Sequence, residues 1–435
     1  MTSIKRYRYG VVAIFVAFML LHQADKLLIG QVLTDFSADF GIDDTAAGAV
    51  GTGALVVGAL FYPIWGFLND KFSRARLLAL ASFIWGSTTW LSAVVRTFPA
   101  FLLTRSSTGI DDSSYPGIYS LISDYFEPKQ RGRINGLLQL TAPVGFVLSL
   151  VLVLALRDSI GWRAIFLITG GLGIVVGILI LLFVRDVPRG RAEPELADLP
   201  EIGSYTFRWR EVKALLRKRT LLPLLIQGFF GVFPLNVITF WFFTYLERER
   251  QYDSSTVFIL MGAAVVLMAI GAFLGGLAGD LLSKRTPRGR LIIAALGVSS
   301  AMTFLTLALL TPFDAAPLAF GLPLIGAAFF TLFSGPNVVA SIHEIAVPEV
   351  RSTALAFQYF VENIGAAAAP FIVGVLSTAA GLPSAILIVC LSTYALCLVF
   401  LIAAAWVSPA DFLALRQDMA RRSQEIQAAE AGGAA

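Results

Sequence analysis

GFLNDKFSRAR, Gly66–Arg76, returns in degraded form as GLAGDLLSKRTPRGR, Gly276–Arg290. Each copy ends a long apolar run on an aspartate, Asp70 or Asp280, and turns into a basic loop. More punctuation repeats in the same order. Tyr115-Pro116 answers Gly335-Pro336, Asp124 answers Glu344, Pro128 answers Pro348, Arg131 answers Arg351 and Gly145 answers Gly365. Self-similarity at a nearly fixed spacing is the mark of a duplicated architecture. The chain therefore reads as two copies of one unit.

The apolar runs around these motifs say what the unit is. The 435 residues are 57% hydrophobic and 14% charged, with a mean hydropathy of +0.77. A soluble domain carries about 25% charged residues. Runs approaching the ~20 residues that cross a bilayer number twelve, starting near Tyr9, Thr45, Arg76, Pro99, Arg133, Trp162, Thr220, Ser254, Arg290, Pro317, Ser352 and Pro383. The expected fold is an all-α membrane protein of twelve transmembrane helices in two six-helix parallel repeats. One long polar connection, 185–219, contains RGRAEPELADLPE and separates six spans from six. It divides the chain into a bundle over 1–184, a linker over 185–219, a second bundle over 220–407 and a tail over 408–435.

Orientation follows from the excess of Lys and Arg in cytoplasmic loops. With both termini cytoplasmic, that side holds 26 basic residues and the other holds five, Arg96, Arg157, Arg163, Arg248 and Arg250. Lys26 and Arg105 fall inside spans. The net charge of +4 is thus a topology signal, and a nucleic-acid partner is not expected. The first apolar run meets HQADK, with no small-residue cleavage site, and reads as an uncleaved helix. Cys390 and Cys397, seven apart on one face, read as packing residues. There is no Gly-Lys dipeptide for a phosphate-binding loop, no Gly-x-Ser-x-Gly elbow, and HEIAV at His343 lacks the second His of a zinc helix. No enzyme activity, cofactor or metal is expected.

The loop Gly66–Arg76, the duplication and the twelve spans resemble the major facilitator superfamily along almost the whole chain. Within it, ADKLLIG at Ala24–Gly30, GIDDSSY at Gly109–Tyr115, APVG at Ala142–Gly145 and RDVPRG at Arg185–Gly190 are similar to the Spinster family. Lys26 stands where that family usually has Arg, and Asp111-Asp112 replaces Gly-Glu. The resemblance implies a secondary transporter in a bacterial inner or plasma membrane, a monomer in the lipid bilayer. It implies an amphipathic or lysolipid-like solute moved with protons; the coupling ion stays open between H+ and Na+. Organic-anion symporters of the superfamily carry similar patterns, so a sugar acid or other small carboxylate is the alternative solute.

In that superfamily spans one, four, seven and ten line the central cavity, which directs attention to the intramembrane charges. At 100° per residue Arg105 and Asp112 are nearly in register, and Pro116, Tyr119 and Ser123 continue their face. At 1.5 Å per residue Arg105 lies about 9 Å and Asp112 about 20 Å from the outer surface, with Asp25 about 12 Å deep. An Asp25–Arg105 ion pair is therefore expected, with Lys26 and His22 nearby. Asp112 is the expected proton carrier, with Asp25 and Glu362 as the other candidates. Solute binding is assigned to Arg105, Asp111, Tyr119, Gln227, Asn236 and Asn337, although Asp111 also fits hydrogen bonding to a neighbouring helix. Asp70, Arg74, Asp124, Arg131 and Asp280, at cytoplasmic span ends, read as latches between conformational states.

Overall fold

The computed structural model describes residues 2–126, 134, 137–138, 140–187, 217–346 and 351–433. Its elements are helical throughout: α1 Thr2–Gln31, α2 Leu33–Phe40, α3 Asp44–Lys71, α4 Arg74–Val94, α5 Phe98–Ser107, α6 Gly109–Asp112, α7 Tyr115–Tyr125, α8 Thr141–Phe183, α9 Leu221–Gly231, α10 Phe233–Thr244, α11 Ser254–Ser283, α12 Gly289–Leu310, α13 Pro317–Thr331, α14 Ser334–Ile345, α15 Arg351–Ala380 and α16 Leu382–Gly433. Among the described residues ten helical stretches are long and apolar enough to cross a membrane. One of them, α8, holds two spans, because Gly161 adopts φ 75° and breaks the helix where only glycine is unstrained. The broken run α5–α7 supplies the remaining span, which makes twelve. The expected all-α fold is the observed one. The start expected near Arg133 and most of the 185–219 linker lie outside the described residues.

The break in α5–α7 is written in STGIDDSSYPG. Pro116 sits in the first turn of α7 and has no N–H to continue the ladder. Three-residue turns take over, with Ser114 N–H on Asp111 O at 2.9 Å and Gly117 N–H on Ser114 O at 2.9 Å. Ser113 Oγ donates to Gly58 O on α3 at 2.9 Å, anchoring the kink to its neighbour.

The described residues pack as two compact units. The first contains Met1–Ser204, Asn236–Val265 and Ala366–Ile386. Its core is Val11, Phe15 and Phe18 of α1 against Leu78 and Trp85 of α4, Ile118 and Ile122 of α7, and Ile180 of α8. Close approach of backbones brings α10 and α15 into this unit. A Cβ on Gly30 would stand 2.8 Å from the carbonyl oxygens of Thr239 and Phe240, and one on Gly48 2.5 Å from that of Pro370. Trp241 Nε1 donates to Pro370 O at 3.1 Å.

The second unit contains Tyr205–Leu235, Val266–Gly365 and Leu387–Ala435. It buries Leu291, Val298 and Leu305 of α12 with Phe320 and Leu324 of α13, and the Phe304 and Phe330 rings stack at 5.8 Å. The duplication extends to side-chain pairing. Arg74, opening α4, binds Asp124 at the end of α7, and Arg290, opening α12, binds Glu344 at the end of α14 at 3.0 Å.

At the start of α11, Asp253 accepts from the N–H groups of Ser255 and Thr256, both at 3.0 Å, and from their hydroxyls. The Ser255 hydroxyl first, then the Thr256 hydroxyl and amide, hold its carboxyl well below the usual range. A depressed native pKa contributes stability above the unfolded value of about 4, and that contribution is lost as pH falls through the native value. Asp253→Asn should therefore melt earlier than wild type at pH near 7, and the gap should shrink in melts below about pH 4.

Candidate functional site

One turn and a half of α1 carries the polar side of a cavity in the first unit. His22, Asp25 and Lys26 reach towards α3, α4, α6 and α8, while their neighbours Phe18, Met19 and Leu28 are buried in the surrounding core. The cavity volume is about 90 Å³. Its charged lining is Asp25, Lys26, Arg105 and Asp112, with His22, and α10 adds Asn236 and Thr239. Its apolar wall includes Leu27, Val50, Leu55 and Phe240.

Two cation–anion pairs face this space. Arg105 Nη1 lies 3.5 Å from Asp25 Oδ2, and both residues are buried, at 3% and 2% exposure. Asp25 also accepts from Thr89 Oγ1 at 3.0 Å and Thr169 Oγ1 at 2.6 Å, which satisfies the buried carboxylate from two further helices. The Arg105 guanidinium lies over the Phe166 ring at 4.9 Å. Its Nη1 meets Asp25 only at that 3.5 Å separation and has no closer acceptor in the described structure. The second pair is Lys26 Nζ to Asp112 Oδ2 at 2.5 Å. Lys26 is the more exposed of all these groups, at 37%, and it is the one that can change partner at least cost.

Asp25 and Arg105, expected at equal depth, thus form an ion pair. The helical register of Arg105 and Asp112 holds only in part. Both line the cavity, yet Asp112 turns to Lys26 and not to Arg105, because the α-helical hydrogen-bond ladder is interrupted at Thr108 and again at Ser113-Ser114. Asp111 is not among the lining residues. It is fully buried behind Asp112, with Oδ2 at 2.6 Å from His22 Nε2. His22 Nδ1 is 2.5 Å from Tyr115 Oη.

Other sequence candidates lie elsewhere. Tyr119 is half-buried against the first unit's core. In the second unit Gln227 is buried and accepts from Cys397 Sγ at 3.6 Å. Asn337 is fully buried and bridges helices, its Nδ2 donating to Gly275 O at 2.9 Å and Phe333 O at 2.8 Å. Glu362 accepts from Gln358 Nε2 at 2.7 Å. Asp280 pairs with Arg290 at the surface. Arg131 and the Asp70 side chain lie outside the described residues. Arg74 is 2% exposed and donates to Ser120, Asp124, Asp186 and the Val187 carbonyl. Sequence reasoning missed Thr89, Thr169 and Asp186 as partners. Thr and Ser are common in spans, so nothing local marked them; His22, one turn from Lys26, was the one legible signal.

A second cluster in the same unit joins chain segments far apart in sequence. Arg248 donates to Asp44 from Nη1 at 2.9 Å and Nη2 at 2.8 Å, a bidentate pair, and Ser377 of α15 also donates to Asp44. Arg157 holds Asp35 at 2.8 Å and Glu247 at 2.5 Å. These are among the arginines expected on the outer face.

Comparison with known proteins agrees with this architecture. The sequence model described as Major Facilitator Superfamily matches residues 14–341. Protein spinster homolog 1 of Xenopus tropicalis is 29% identical over 396 residues, covering 85% of this chain and 73% of that protein. Protein spinster homolog 1 of Homo sapiens is 28% identical over 386 residues, covering 84% of this chain and 72% of its own. Among solved structures, an inward-facing, unoccupied bacterial homolog of the human lysosomal transporter Spinster superposes with a TM-score of 0.77 at 21% identity, covering 94% of this chain and 98% of the other.

Proposed function

The chain belongs to the major facilitator superfamily, a multi-pass membrane transporter of Spinster type, and from that premise we propose proton-coupled movement of an amphipathic, lysolipid-like solute by alternating access. The observation that carries the reading is the mixed lining of the cavity, in which Lys26–Asp112 and Arg105–Asp25 stand beside Leu27, Val50, Leu55 and Phe240. Apolar wall suits an acyl or alkyl part; cations suit an anionic group. When that group takes Lys26, Asp112 is left without its cation partner and takes up the proton that travels with the solute. Solute and proton then enter as one neutral set. The six-helix domains joined by 185–219, with both termini cytoplasmic in a bacterial inner membrane, complete this reading.

A small carboxylate is the second reading, and the Arg105 guanidinium in the cavity lining favours it, since guanidinium binds carboxylate in a planar fork. Thermal melts of purified protein with lysophosphatidylcholine, lysophosphatidate and gluconate separate the two. Lysolipids should raise the melting midpoint and gluconate should not. Stabilisation by gluconate alone would transfer the assignment to the organic-anion reading.

The Arg248–Asp44–Ser377 and Arg157–Asp35–Glu247 clusters are proposed as the closed outer gate. Arg248→Ala should raise labelling of a cysteine placed at Val50 by an impermeant maleimide added outside. Roughly tenfold is expected if the cluster contributes ~1.4 kcal/mol to closure. Unchanged labelling would leave the cluster a structural one.

A further inference from the structure

The His22–Asp111 contact is not used by the cycle above. His22 is 3% exposed and Asp111 0%, so water does not compensate either charge. Apart from the His22 contact at Oδ2, neither Asp111 carboxylate oxygen has a hydrogen-bond partner in the described structure. With no proton the pair leaves a bare buried carboxylate, and with two it leaves a buried imidazolium with no counter-ion of its own. One proton gives either an internal ion pair or two neutral groups, and both avoid a net buried charge. His22 Nε2 also stands 3.9 Å from Asp112 Oδ1, so one imidazole nitrogen lies between two carboxylates. Tyr115 Oη at Nδ1 and the rings of Phe18 and Trp85 fix the plane of the imidazole. The charged and titratable groups facing this nitrogen are Asp111, Asp112 and Tyr115 from the α6–α7 break, Lys26 from α1, and Tyr62 of α3 beyond Lys26 and Asp112.

We propose that His22 and Asp111 form a second proton-binding site, which holds one proton and passes it to Asp112 when Lys26 releases that carboxylate. The step balances. The Nε2–H bond of the imidazolium breaks, an O–H bond forms on Asp112, and neutral His22 remains beside Asp111. The vacated pair then takes a proton from the aqueous side. The proposal deepens the transport reading above by placing a store behind the carrier, and its test needs no solute.

The chain has two histidines, so protein with 15N-labelled imidazole in a His343→Gln background reports His22 alone. In wild type the His22 signal should not titrate between about pH 5 and 9, where a free imidazole would change state near 6.5. Asp111→Asn should restore a titration in or below that window. Lys26→Met should move the Nε2 resonance at constant pH, because Asp112 then turns to His22 for its cation. A wild-type His22 that titrates near 6.5 overturns the one-proton store. A Lys26→Met protein whose Nε2 signal is unchanged overturns the transfer to Asp112. Asp111→Gly, which removes the carboxyl and leaves the backbone free, is the substitute if Asp111→Asn does not fold. Failure of lysolipid binding would overturn the solute assignment and leave these spectra as they are.

Discussion

Asp112→Asn protein in proteoliposomes is expected to exchange labelled lysolipid at close to the wild-type rate and to lose at least about tenfold of its pH-driven accumulation, the loss that follows from removing one ~1.4 kcal/mol coupling free energy. The amide keeps the shape of the protonated acid and cannot release a proton. It also frees Lys26, whose 2.5 Å contact with Asp112 Oδ2 is the bond an anionic solute has to replace. Binding should hold or tighten while the gradient ceases to count. Arg105→Ala should do the opposite. It removes the buried cation, leaves Asp25 with only Thr89 and Thr169, and should weaken binding by about 2–5 kcal/mol. Asp25→Asn should fall between them, since its amide oxygen keeps one threonine hydroxyl as donor and its NH2 can donate to the other hydroxyl oxygen. Uptake with and without an imposed pH gradient separates all three. Undiminished pH-driven uptake by Asp112→Asn would remove it as carrier and turn attention to Asp25 or Glu362.

Arg74→Ala should cost the fold about 3–5 kcal/mol, the usual effect of removing one partner of a buried ion pair. The guanidinium is almost wholly enclosed and meets Asp124 of α7, Asp186 beyond α8 and the Val187 carbonyl. Truncation would take the guanidinium from the buried Asp124 carboxylate. Arg74→Lys should recover less than half of the loss, because an ammonium cannot span acceptors on both sides of a planar fork. Thermal melts in detergent read the difference. A latch that also moves between states would show in addition a changed rate of conformational exchange in Arg74→Lys; unchanged exchange with lowered stability would assign Arg74 to the fold alone.

The relation between motif and structure explains why Arg74 reads as a latch from sequence and sits as a hub in space. Its loop is the most recognisable stretch of the chain, but Asp186 lies more than a hundred residues downstream. No periodicity connects them. The same holds for Asn337 and Gln227, which sequence offers as cavity residues because they are polar in apolar spans. The structure gives Asn337 two backbone carbonyls to satisfy and gives Gln227 a thiol. Polarity inside a span announces a partner, and does not say whether that partner is solute or protein.

What the sequence determined by itself was everything that rests on length and period. Twelve apolar runs of bilayer length, a repeated aspartate-and-basic-loop motif and equal depth for Asp25 and Arg105 follow from 1.5 Å per residue and from the cost of leaving charge in hydrocarbon. What tertiary structure decided was the division of labour between Asp111 and Asp112. Both lie in the single turn α6, where adjacent residues stand 100° apart. The interruptions on either side, at Thr108 and at Ser113-Ser114, release that turn from the register of α5 and α7, and Ser113 ties it to α3. Asp112 is thereby turned to Lys26 at the cavity and Asp111 to His22 behind it. Register within a helix is a local property; the direction a side chain takes past a break is set by what the neighbouring helices leave open.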